Sequence, residues 1–125
     1  MKQSDLLNYL QNKISAIDLL EKYKDDVESY KIKMSKKGSS VNVNFDYSNE
    51  TLFINRDTVV KLYKDFIDDR LDFYLMSYIA DILTLYNNVD FENEDVRENI
   101  ETIVDYDNIK NFSKDFLKKQ LSSII

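Results

Sequence analysis

Apolar positions along this chain recur with more than one period, and the changes of period mark the elements. Leu6, Leu7 and Leu10 fall on one side of a helix predicted over residues 5–11, with Ser4 as its cap. The stretch NKIS interrupts that pattern. Ser15 is placed to cap a longer helix, along which Ile17, Leu20, Tyr23 (or Lys24), Val27 and Tyr30 keep helical spacing. Its end is expected at Gly38, the one glycine in the chain and so the residue that takes positive φ freely. The period then drops to two. Val41, Val43 and Phe45 alternate with Asn42, Asn44 and Asp46, which reads as a half-buried strand. DYSNE reads as a turn and TLFI as the returning strand, giving one β-hairpin over residues 41–54.

Helical spacing resumes after Asp57, the expected cap, with Val59, Val60, Leu62, Tyr63, Phe66 and Ile67 apolar. DDR breaks this helix. Residues 71–86 are apolar nearly all round, the signature of a buried central helix. A last helix from Ser113 turns Phe116, Leu117, Leu121 and Ile124 inward. The strings YLQNKI, FIDDRL and FLKKQL resemble one another, as amphipathic helices do, but their spacing is too irregular for a solenoid. The expected architecture is one domain over residues 1–125. It is mainly α, a bundle of about five to six helices with one small β-hairpin, hence α+β. A chain of 125 residues buries a sufficient core without metal or disulfide staples.

Charge changes this picture at one place. Residues 86–108, YNNVDFENEDVRENIETIVDYDN, hold eight carboxylates and a single cation, Arg97, while the whole chain carries only −6. If residues 92–104 are helical, Glu94, Glu98, Glu101 and Asp105 form one stripe, and Val96, Ile100, Ile103 and Val104 face the other way. Asp90 or Asn93 can cap the start. Solvated helices usually mix charge signs to gain pairs one turn apart, and neighbouring like charges cost about 0.2–0.5 kcal/mol each. The stripe therefore points to a partner surface. Its candidate residues are Tyr86, Asp90, Phe91, Glu92, Glu94, Asp95, Glu98, Glu101, Asp105, Tyr106 and Asp107, with the aromatics as buried anchors and the acids as a steering field. Lys31, Lys33, Lys36 and Lys37 before the hairpin, and Lys110, Lys114, Lys118 and Lys119 near the end, read as solvated faces.

Absences narrow the chemistry. There is no His and no Cys, which excludes thiol nucleophiles, imidazole bases and most zinc sites. One glycine cannot build a phosphate cradle. Carboxylate-pair catalysis is the enzymatic route left open, and an enzyme is not expected. Asp90, Glu92, Glu94 and Glu101 stand at positions 1, 3, 5 and 12 of an EF-hand register, but position 6 is Asp95 where the turn needs Gly. No metal and no cofactor are expected. A pI of about 4.6 argues against direct nucleic-acid binding. No apolar run is long enough to span a membrane, and MKQSDLLNYL lacks a signal-peptide core, so a cytoplasmic location is expected.

Residues 9–26, YLQNKISAIDLLEKYKDD, resemble the opening of small bacterial immunity proteins of the colicin D immunity-like type. Residues 62–83, LYKDFIDDRLDFYLMSYIADIL, with VDFENEDVRENI at 89–100, are similar to the second half of immunity proteins from contact-dependent inhibition systems. The hairpin departs from the all-helical colicin D inhibitor. The resemblance implies a non-enzymatic inhibitor that occludes a cognate toxin domain, basic and of nuclease type. A phage-encoded inhibitor, such as an anti-CRISPR or other nucleic-acid mimic, would use the same physics.

Overall fold

The structure is a computed structural model that describes residues 1–34, 43, 45–47, 50–104 and 113–124. Among these residues there are seven helices and two short strands. In chain order they are α1 (Gln3–Leu10), α2 (Ala16–Lys22), α3 (Lys24–Met34), β1 (Leu52–Ile54), α4 (Arg56–Ile67), α5 (Phe73–Leu85), β2 (Val89–Phe91), α6 (Glu94–Val104) and α7 (Lys114–Ile124). The fold is mainly α with a small sheet, as the periodicity predicts. No helix among the described residues is long and apolar enough to cross a membrane.

α5 is the centre. Every residue from Leu75 to Leu83 is buried, and Asp72 caps the helix by accepting from the Leu75 amide at 2.7 Å. α3 and α6 pack on α5, while α4 packs on α6 and α7. α6 contributes Val96, Ile100 and Ile103 to the core, and α7 contributes Leu117.

The sheet corrects the expected hairpin. The strand at 52–54 forms, but it pairs in parallel with Val89–Phe91, Leu52 opposite Val89 and Ile54 opposite Phe91. Parallel strands need a long crossover, here α4 and α5. Of the expected first strand, residues 41, 42 and 44 lie outside the described residues. Phe45 is buried, and Asp46 bridges Lys2, with Asp46 N–H donating to the Met1 carbonyl at 2.8 Å. The start of the chain thus takes the backbone groups that a hairpin would have used.

Three helix starts also differ. α1 begins after Lys2 with no side-chain cap, so Ser4 lies inside its first turn. α4 is capped by Asn55, which accepts from the Thr58 amide at 3.1 Å, and Asp57 is a first-turn acid. The long second helix is two: α2 ends at Tyr23, whose hydroxyl is held by the Asp5 carboxylate and the Lys2 amide, and α3 restarts behind it. The buried face of the pair is Ala16, Leu19, Val27 and Tyr30, whereas Ile17 is 64% exposed. Ser15 and Ser113 cap as expected, Ser15 in a reciprocal box with Asp18. The expected helix end at Gly38 lies outside the described residues.

Candidate functional site

α6 divides its two faces cleanly. Asn93 caps it, accepting from the Val96 amide at 2.9 Å, so the cap is the second of the two candidates. Val96, Ile100 and Ile103 anchor one face in the core, which fixes the helix rotation. Glu94, Glu98 and Glu101 are then exposed along the opposite edge, and Asp95 beside them. Arg97 approaches Glu94 only at 4.0 Å and lies over the Phe91 ring at 5.2 Å. Among the described residues, no hydrogen bond or ion pair engages the side-chain carboxylates of Asp95, Glu98 or Glu101. An exposed pair contributes ~0–1 kcal/mol, so the stripe forgoes little stability by lacking partners, but its field stays unneutralised.

The other predicted site residues divide. Asp90 is exposed on β2. Glu92 is exposed too, but its carboxylate accepts from the Arg56 amide at 2.9 Å. It therefore satisfies one of the free N–H groups at the start of α4, a structural duty that residue spacing alone does not reveal. Phe91 is half-buried under Arg97. Tyr86 is half-buried as well, its ring tilted against Phe45 at 4.9 Å and Tyr47 at 5.9 Å, with its hydroxyl donating to the Val43 carbonyl at 3.4 Å. Asp105, Tyr106 and Asp107 lie outside the described residues. The EF-hand register does not form a loop, because residues 94–101 are helical. Among the described residues no three acids converge as a metal would require.

Two features escape the sequence pattern. Tyr47 and Leu85, 60% and 63% exposed, flank Tyr86 and enlarge the apolar surface there. A groove of about 370 Å³ also runs between the start of α4, α6 and the end of α7, and Asp95 and Glu98 stand on its rim. Leu85 reads in the sequence as one more buried residue of the central run, and its exposure is a correction to that pattern. The groove has no sequence signal, since it needs three elements to meet.

No protein-family model, curated protein or solved structure matches the chain.

Proposed function

We propose that this chain is a cytoplasmic, non-enzymatic inhibitor that binds a basic toxin domain, of nuclease type, through the outer face of α6. The observation that carries this is the exposed row Glu94, Glu98 and Glu101 on a helix whose other face is fixed in the core. A rigid row of carboxylates, offset only by Arg97 beside Glu94, imitates a phosphate backbone and fits a cationic cleft. The acids steer the encounter, and aromatic residues at 86 and 91, with Tyr47 beside them, supply buried contact once water is expelled. The resemblance at residues 9–26, 62–83 and 89–100 supports the same reading.

The test is co-expression with the product of the adjacent gene. The two chains should co-purify, the pair should leave nucleic acid intact, and cells carrying both should grow. Growth arrest despite co-expression, or a complex in which the toxin still cleaves, would remove the inhibitor assignment.

A further inference from the structure

The groove between α4, α6 and α7 has two kinds of wall. Val59 and Val96 lie buried at its base, and the half-buried Ile124 supplies its accessible apolar wall. Asp95 and Glu98, three residues apart and so neighbours on α6, stand at one rim. Arg56 lines the groove as well. The Asn99 amide at this site is already committed: its Oδ1 accepts from Tyr63 at 2.9 Å and its Nδ2 donates to the Asp95 carbonyl at 2.8 Å. Among the described residues, no hydrogen bond or ion pair engages the side chains of Asp95, Glu98 or Arg56. Two uncommitted carboxylates and one guanidinium thus line the same groove.

We infer, on the basis of α6 as a docking face, that this groove receives an arginine side chain of the basic partner. Charge complementarity selects the occupant. A long cationic side chain lays its methylene stem along Ile124 and keeps its charged head at the rim. A planar guanidinium forks between two carboxylates, whereas an ammonium is a compact, strongly hydrated point charge that cannot bridge both in one plane. At about 370 Å³ the groove is at the small end of ligand sites, which run roughly 300–1,000 Å³, and suits one side chain better than a cofactor. Arg56 opposes the occupant by like charge.

The experiment is a titration of the full ¹⁵N-labelled chain with N-acetyl-arginine methylamide, with N-acetyl-lysine methylamide run in parallel. The amides of Val59, Val96, Asn99 and Ser123 should shift and saturate with the arginine compound, and shift several-fold less with the lysine compound. The Asp95→Asn/Glu98→Gln double variant should lose about tenfold in affinity, as a charge-assisted fork predicts. Arg56→Gln should bind more tightly than the parent, an opposite sign that misfolding would not produce. Equal responses to the two compounds, shifts restricted to Glu94 and Glu101, or no gain from Arg56→Gln would each overturn the arginine site. Shifts restricted to Glu94 and Glu101 would do so while leaving the acidic docking face intact, because that face is tested separately by partner association.

Discussion

Three tyrosine hydroxyls donate to aspartates across helix boundaries: Tyr9 to Asp65 at 2.6 Å, Tyr23 to Asp5, and Tyr30 to Asp81. They join α1 to α4, the α2–α3 junction to α1, and α3 to α5. Two of these carboxylates respond to pH in opposite senses. Burial pushes the Asp81 carboxyl up, and the Tyr30 hydroxyl only partly offsets this. Asp5 is held down chiefly by the Tyr23 hydroxyl, helped by Lys22 at 3.0 Å and opposed by burial. A raised carboxyl favours the neutral form in the fold, so Asp81 costs stability once pH rises above its ordinary value of 3.8. A lowered one contributes stability above 3.8 and loses it as pH falls toward the folded value. Asp81→Asn keeps an acceptor for Tyr30, and it should be at least as stable as the parent at neutral pH, with the difference shrinking on acidification. Asp5→Asn should cost stability at neutral pH, and that cost should vanish in acid. Urea unfolding from pH 2 to 7 checks both, and curves that stay parallel to the parent's would contradict the pairing. None of these pairs was legible in the sequence. Asp65 sits at a polar position of an amphipathic pattern and Asp81 is a lone carboxylate in an apolar run, and in neither does the spacing name the tyrosine it meets.

At the scale of elements, periodicity served the long helices well and the short ones poorly. The run at 71–86 has no polar face, and only the centre of the fold can accept such a helix. Ile79 and Ile82 are fully buried, so changing either to Ala should cost about 2–5 kcal/mol by denaturant unfolding. Leu85, 63% exposed on the same helix, should cost under about 0.5 kcal/mol. Comparable losses at all three would contradict the burial pattern. The breaks at NKIS and DDR were visible as polar interruptions, but their mechanism was not. Each helix ends with a non-glycine residue in the left-handed region, Asn12 at φ 62° and Asp69 at φ 61°. Behind them Lys13 N–H donates to the Asn8 carbonyl and Arg70 N–H to the Asp65 carbonyl, both at 2.8 Å, which closes a Schellman turn at each end. Asn and Asp tolerate this geometry better than other side chains, so a chain with one glycine still turns sharply. The strand pairing was misread for a related reason. VDF is only three residues long, and its partner lies across two helices, so no local signal links it to LFI.

At the scale of the molecule, the sequence placed the charge and the fold oriented it. The stripe was legible because helical spacing alone sets Glu94, Glu98 and Glu101 on one edge and Val96, Ile100 and Ile103 on the other. The groove beside it was not, because Arg56, Asp95 and Ile124 are distant in sequence. Residues 86–108 carry −7 in a chain of −6, so the remainder sums to about +1 and the field is one-sided. Exposed charges are screened over ~8 Å at physiological ionic strength, so an encounter guided by this field must slow as salt rises. The most direct measurement is the association rate with the purified partner by stopped flow, across ionic strength, for the parent and for Glu94→Gln/Glu98→Gln/Glu101→Gln. Glutamine keeps shape and helix propensity, so the variant should melt as the parent does. It should associate about tenfold or more slowly at low salt, with a flattened salt dependence. An unchanged association rate in a folded variant would show that the stripe is only a solvated face and that the partner docks elsewhere.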